Sequence, residues 1–573
     1  MLDITAMLPD PARAADDVPP WEIDPPERIN VASWLPARVA ERAFQRALIQ
    51  PEGYNRLGKR LYSHLTYAQL DALCDAYAHG LRARGVVRGQ RVLMLVSQGM
   101  ELIALTFALF KMGAVPIMID PGMGREPFLA CVQESEPEAM IGIPRAHFAK
   151  LVFRSPFKSV ARAFITEKKW WSGATALADM ADFSAGAFAC EDMHRDDLAA
   201  ILFTSGSTGI PKGVHYTHGI FDGQVRAIGE MYGIEPGEIE VPLFPLFSLF
   251  SIALGMSVVI PDMDPTKPAE VNPANVIEAI VDHGATTAFG SPAVWERVAP
   301  FCQEKKIKLP TLRRILTAGA PINPAMMEKY DGVLSEGVSF HTPYGATECL
   351  PVATISSAEV LGETAQMTRK GKGLCVGKPV NRMQVKILEI TDDAIEQMSD
   401  ARELDAGEIG EICVNGLVAT RSYDNKPEHT RKAKIKDPSL GEDAFWHRMG
   451  DVGYLDEQGR LWYCGRKAHR VETGEETMFS IQCEAIFNVH PDIFRSALVG
   501  VGERGSQVPV ILIEGYKDRT PPSKEEVLKI AAAHDITRAI KEVHFHSGFP
   551  VDRRHNAKIH REELTEWVAK QRG

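Results

Sequence analysis

Short apolar runs recur along this chain between segments of helical period, and that alternation leaves few folds open to it. Arg91 to Val96, Ala114 to Ile119 and Ala139 to Ile143 read as buried strands, with Leu102 to Met112 as the helix between the first two. Strand, helix, strand at this spacing is a parallel βαβ unit. The pattern resumes at the run ending in Phe203, at Val258 to Ile260, at Thr286 to Phe289 and at Arg314 to Thr317, which implies doubly wound α/β layers. In such sheets ligands sit beyond the carboxyl ends of the strands. Upstream, Pro36 to Arg46 has a helical pattern and Leu61 to Leu65 reads as a strand. Thr66 with Gln69 forms a capping box for a helix that Gly85 ends.

From Val376 the character shifts. Val385 to Glu389, Gly410 to Val414 and Leu461 to Tyr463 are short strands between turns, as in a small β-rich subdomain. Lys467 to Gly573 reads as a separate module, with strands at Ser496–Val501, Val508–Glu514 and Glu542–His546 and helices at Lys524–His534 and Arg561–Lys570. The expected division is an N-terminal arm over 1–30, a large domain over 31–466 and a small α+β domain over 467–573.

One strand exit carries chemistry. The run Ile201-Leu202-Phe203 ends in Thr204-Ser205-Gly206-Ser207-Thr208-Gly209-Ile210-Pro211-Lys212-Gly213-Val214. Glycines let the backbone approach an anion closely. Backbone N–H groups and the hydroxyls of Thr204, Ser205, Ser207 and Thr208 can donate to phosphate oxygens, and Lys212 adds positive charge. The spacing is not that of a Walker loop, because the lysine precedes a glycine instead of Ser or Thr. Thr217 follows as an N-cap, with Ile220, Val225, Ile228 and Met231 on a helical period. The stretch reads as a polyphosphate cradle.

Several function classes drop out. Net charge is −11 and basic residues are scattered, so nucleic acid is not an expected partner. Nine cysteines lack a CxxC pair or a Cys/His metal pattern, which points to a reducing, cytoplasmic setting. The first 36 residues have no basic segment followed by an apolar run, so no secretory signal is expected. Val241 to Pro261 is uncharged and long enough to span a bilayer. Its prolines, serines and Gly255 favour a buried helix and strand beside an apolar pocket, so no integral membrane protein is expected.

The loop Thr204 to Val214 resembles the phosphate loop of the adenylate-forming enzymes, the superfamily of acyl-CoA synthetases, luciferases and peptide-synthetase adenylation domains. Further stretches share the resemblance. Leu316 to Pro321 is similar to the loop that packs on adenine, placing Gly319, Ala320 and Pro321 there. Tyr344-Gly345-Ala346-Thr347-Glu348 is similar to the motif in which the threonine contacts the α-phosphate and the glutamate holds Mg²⁺. Met449-Gly450-Asp451 matches the ribose-binding aspartate, Arg466 closes the large domain, and Lys558 occupies the place of the catalytic lysine, with Ala557 where a glycine is usual. The resemblance implies ATP and Mg²⁺ as cofactors and a mobile C-terminal domain joined by a hinge. It also implies a first half-reaction in which a carboxylate and ATP give acyl-AMP and pyrophosphate.

At the hinge the sequence departs from the family. Ala468 stands where an Asp or Lys is usual, and the following thiolation loop is altered. With that variant, the chain looks most like the β-lactone synthetases of long-chain olefin biosynthesis. Their substrate is a long-chain 2-alkyl-3-hydroxy fatty acid, and other enzymes of that pathway are the implied partners. The acid is adenylated, and its own 3-hydroxyl then attacks the acyl carbon. His469 and His555 are candidates for taking the hydroxyl proton. Phe247, Phe250, Phe289 and Trp295 are candidates for lining the acyl site. A long-chain fatty acyl-CoA ligase and a non-catalytic nucleotide- or lipid-binding relative are the alternatives.

Overall fold

The computed structural model describes residues 24–167, 173–203, 211–320, 322, 324–552 and 558–572. Thr204, Ser205, Gly206, Ser207, Thr208, Gly209, Pro321 and His555 lie outside the described residues, as do residues 1–23 of the arm. The rest of the arm is fastened down. Asn30 donates to the Phe110 carbonyl at 2.7 Å and caps the short turn Val31–Ser33 through the Ala32 N–H.

Seven strands make one sheet, in the order Thr175–Ala176, Arg162–Ile165, Ala139–Gly142, Arg91–Leu95, Val115–Met118, Leu198–Phe203 and Gly213–Thr217. Neighbours are parallel except the last pair, where the chain leaves Phe203 and returns antiparallel along Gly213–Thr217. This return strand lies between the glycine-rich loop and the helix His218–Tyr232, which Thr217 caps by accepting from the Ile220 N–H at 3.3 Å. The capping box at Thr66 forms as its sequence implies.

A second sheet has fourteen strands. Its parallel half runs Arg46–Tyr54, Ser257–Val259, Ile239–Pro242, Thr287–Gly290, Arg314–Thr317 and Ser339–Ala346. Beyond Ser339–Ala346 the order continues antiparallel through Cys349–Ser356, Leu374–Pro379, Leu461–Arg466, Phe445–Leu455, Gly410–Gly416 and Met383–Leu388. The β-rich region is thus an extension of the same sheet, hydrogen-bonded to it without a break. Arg46–Tyr54 is hard to read as a strand because Pro51 and Gly53 interrupt it, and the register slips between them.

The uncharged stretch after Val241 forms the end of one strand, the helix Phe247–Ala253 and the strand Ser257–Val259. No helix among the described residues is long and apolar enough to cross a membrane. Beneath that helix, Glu240 is 1% exposed and accepts from the Ser251 hydroxyl, while its Oε1 has no hydrogen-bond partner among the described residues. Burial pushes its carboxyl up to about 8. The folded chain therefore keeps a proton that the unfolded chain gives up near pH 4.5. This contribution to stability is complete below that pH and is lost as pH rises towards 8. Within that window Glu240→Gln is expected to flatten the pH dependence of the unfolding free energy from denaturant titrations, by up to about 1.4 kcal/mol per pH unit.

After Arg466, Ile493–Val501 pairs antiparallel with Val508–Gly515, and Glu542–Phe545 joins the latter in parallel. Helices Ser480–Phe487, Lys524–Ala532 and Arg561–Arg572 pack on this small sheet, with a core that includes Cys483, Phe487, Leu498 and Ile511. Ser480–Phe487 buries residues on nearly all sides, so it lacks the polar stripe that would mark it as a helix in the sequence.

Candidate active site

Asp451 and Arg466 face each other on adjacent antiparallel strands. Arg466 Nη1 lies 3.0 Å from Asp451 Oδ1, and the Tyr344 hydroxyl donates to Asp451 Oδ2 at 2.7 Å. The arginine contact is off hydrogen-bond geometry, so Oδ1 accepts no hydrogen bond among the described residues. Burial raises the Asp451 carboxyl. The charges of Arg466 and Lys558 and the Tyr344 hydroxyl oppose that shift. The aspartate in turn raises the Arg466 guanidinium above its already high value. The result is a buried carboxylate whose Oδ1, ion-paired with Arg466, accepts no hydrogen bond among the described residues and lies beside an aromatic ring, a combination that suits a ribose next to a base.

Tyr344 to Glu348 is not a free loop. Tyr344 lies in the strand Ser339–Ala346, and Thr347-Glu348 is the turn of a hairpin into Cys349–Ser356. Gly345 is required there, because a Cβ would sit 2.4 Å from the Cys349 carbonyl oxygen. The turn is held from outside. The Thr347 carbonyl accepts from the Tyr216 hydroxyl, and the Glu348 carbonyl accepts from the Thr420 N–H at 2.9 Å and hydroxyl at 3.0 Å.

Tyr423 was not legible as part of this site. Its hydroxyl donates to Glu348 Oε1 at 2.9 Å, and its ring lies 5.1 Å from the Lys212 ammonium. It thereby ties the lysine after the glycine-rich loop to the carboxylate of the hairpin. Burial lowers the Lys212 ammonium, and Glu348 opposes that. Lys434, also missed, donates to the Thr420 carbonyl, and burial takes its amine down to about 7. Both come from the segment after Gly410–Gly416, which folds back over the first sheet. There Asp424 accepts from His215 Nε2 at 2.9 Å and pairs with Arg91 at 2.7 Å.

Gly319 takes φ +100° where the chain leaves the strand Arg314–Thr317, and Ala318 packs with the apolar layer below it. Lys558 is held by a two-way backbone contact with Asp552. Its N–H donates to Asp552 Oδ1 at 2.9 Å, and its carbonyl accepts from the Asp552 N–H at 3.1 Å. Lys558 lies near enough to Asp451 for its charge to favour the ionised carboxylate there.

At the junction, Lys467 Nζ meets Glu411 at 3.0 Å and the Thr391 carbonyl at 2.9 Å. Arg470 pairs with Asp392 at 2.9 Å. His469 Nε2 lies 3.6 Å from Glu562 on the C-terminal helix, so the ring faces that helix. Phe247 and Phe289 stack at 3.9 Å between ring centroids, and Phe250 lies 5.6 Å from Phe247. Trp295 does not join them. It is fully buried in a different cluster, edge-on to Tyr330 and Phe340.

Residues 37–424 match the family model described as AMP-binding enzyme. The chain is 44% identical over 549 residues to an olefin β-lactone synthetase of Xanthomonas campestris pv. campestris, covering 95% of this chain and 98% of that one. It is 43% identical to an olefin β-lactone synthetase of Stenotrophomonas maltophilia, covering 94% and 98%. Among solved structures, an amide bond synthetase from Marinactinospora thermotolerans superposes with a TM-score of 0.76 at 22% identity, over 94% of this chain and 99% of that one.

Proposed function

This chain belongs to the AMP-binding enzymes, and from that premise we propose that it adenylates a long-chain 3-hydroxy acid and closes the product to a β-lactone. The observation that carries the reading is the identity of 44% along 95% of the chain to an olefin β-lactone synthetase. The site residues fit the chemistry. Asp451 Oδ1 would accept from a ribose hydroxyl, and Tyr344 and Gly319 would flank the base. Lys212 would meet the outer phosphates together with the hydroxyls of the glycine-rich loop. Glu348, with one oxygen engaged by Tyr423, is a single carboxylate of the kind that holds Mg²⁺ jointly with substrate phosphates. That ion would supply neutralising charge at the pyrophosphate.

Lys558 would bridge the carboxylate and the α-phosphate, offsetting the negative charge that gathers as they meet. The carboxylate oxygen attacks α-phosphorus and pyrophosphate departs. The 3-hydroxyl oxygen then attacks the acyl carbon, AMP leaves with the bonding electrons, and the hydroxyl proton is released to solvent. Holding the hydroxyl within reach of that carbon helps offset the ring strain. Loss of CO₂ from such a lactone leaves a double bond between C2 and C3. An internal olefin therefore requires alkyl groups on both carbons, and the substrate is a 2-alkyl-3-hydroxy acid.

The Ala468 hinge favours this reading over a CoA ligase, since an internal nucleophile needs no thiol site. The test is product analysis by low-temperature NMR after incubation with ATP, Mg²⁺ and a long-chain 2-alkyl-3-hydroxy acid, with and without CoA. A β-lactone formed equally in both is the expected result. A thioester appearing only with CoA would overturn it.

A further inference from the structure

The helix Pro144–Val152 follows the strand Ala139–Gly142 and packs beside the seven-stranded sheet. Its inner side carries Ala146 and His147, both buried, and His147 Nε2 lies 3.0 Å from the Phe164 carbonyl. Phe148, Leu151 and Val152 follow one another at helical spacing and share the opposite side. They are 60%, 51% and 53% exposed. A helix on a globular surface turns its apolar stripe inward. Here an apolar stripe faces solvent.

The charges around it have one sign. From Ala139 to Thr166 the sequence holds no Asp or Glu but has Arg145, Lys150, Arg154, Lys158 and Arg162, in a chain whose net charge is −11. Arg145 lies one turn before Phe148 on the same face, and Arg154 and Lys158 come just after the helix. All three are exposed and make no ion pair among the described residues. Arg125, on the helix Arg125–Ser135, stands 5.9 Å over the Phe153 ring and pairs with its own neighbour Glu126 at 3.2 Å. Three half-exposed side chains bare far less than the roughly 800 Å² per partner that a stable protein interface covers. A fluid bilayer needs no such area, because an apolar stripe can sink among head groups while adjacent cations meet lipid phosphates.

We propose that this face is a peripheral docking surface for an anionic lipid bilayer. Phe148, Leu151 and Val152 enter the head-group layer, and Arg145, Arg154 and Lys158 pair with lipid phosphates. The surface does not depend on which acid the enzyme activates. With the long-chain acid proposed above, it would bring the enzyme to the phase in which such an amphiphile collects.

Co-sedimentation of the full chain with vesicles tests this. Vesicles of phosphatidylcholine and phosphatidylglycerol should bind the protein, and vesicles of phosphatidylcholine alone should bind it about tenfold less or weaker still. Salt at about 1 M, where the screening length is about 3 Å, should release most of it. Arg154→Gln and Lys158→Gln should each weaken partition about fivefold. Leu151→Asn should weaken it about tenfold through lost apolar burial. Lys308→Gln, at an exposed cation outside this face, should leave partition unmoved. Adenylation of a dissolved short-chain acid should be unchanged in all four variants. The substitutions are at exposed positions, and if one misfolds the others still decide the result. No binding to the anionic vesicles, equal binding to the neutral ones, or partition unmoved by the three variants of this face would overturn the surface. So would self-association of the parent chain in sedimentation velocity that Leu151→Asn abolishes, since a second copy would then cover the face. A chain that binds the vesicles yet forms no lactone would sink the lactone reading and leave this surface standing.

Discussion

Replacing Lys558 by alanine is expected to slow acyl-adenylate formation by about 10²–10³-fold while leaving ATP binding within a few-fold of the parent. The magnitude is that of removing one preorganised donor from a developing charge. The lysine acts on the site from a domain that contributes none of the nucleotide-binding residues proposed above, apart from this one. Its contacts with Asp552 are made by the Lys558 backbone and do not need its side chain. Pyrophosphate release in a single-turnover assay gives the rate, and calorimetry gives the affinity. A matching loss of both would mean that Lys558 binds ground-state ATP instead of stabilising the transfer. The same variant given preformed acyl-AMP should still close the lactone, since the second step needs no charge placed between two anions.

Glu348→Gln is expected to lower adenylation by about 10²-fold and to raise the Mg²⁺ concentration needed for half-maximal rate. The substitution preserves shape, and the amide oxygen can still accept from the Tyr423 hydroxyl that now meets Oε1 at 2.9 Å. The hairpin should therefore keep its place, because Thr420 holds it through the backbone carbonyl of residue 348. The check is a Mg²⁺ titration of pyrophosphate release alongside a melting curve. An unchanged metal requirement would assign the carboxylate to positioning Tyr423 and Lys212 and remove it from the metal.

Most of the parallel scaffold is legible in the sequence because buried strands are short continuous apolar runs. Arg314–Thr317 and Ala139–Gly142 stand out for that reason. Site residues within contiguous motifs, such as Tyr344 and Asp451, are legible through resemblance, and the structure joins these two by a hydrogen bond across 107 positions. What escapes is the support that arrives from afar. Tyr423 lies 75 positions from Glu348, and Thr420 lies 72. No local period marks an aromatic in a polar turn as a partner for a carboxylate that distant. Tyr216 is hidden for the opposite reason, since it sits in a strand as a core residue and only its hydroxyl reaches the hairpin. Trp295 packs in a different buried cluster from Phe247, Phe250 and Phe289, a separation that adjacency in sequence to Phe289 does not reveal.

The unbroken run of strands from Ser339–Ala346 to Phe445–Leu455 also bears on how such a catalyst can diversify. Tyr344 and Asp451 belong to a single hydrogen-bonded plate, so neither can move relative to the other without rupturing ladder bonds across the strands between them. Drift there is penalised immediately. The connecting segment at Lys467–His469 and the module beyond it meet the large sheet through no strand-to-strand ladder among the described residues, and side-chain ion pairs such as Arg470 with Asp392 lie at the junction. Substitutions at Ala468 and His469 break none of the ladder bonds of the plate. A lineage can therefore exchange one acceptor for another, an external thiol for an internal hydroxyl, while inheriting its nucleotide recognition intact.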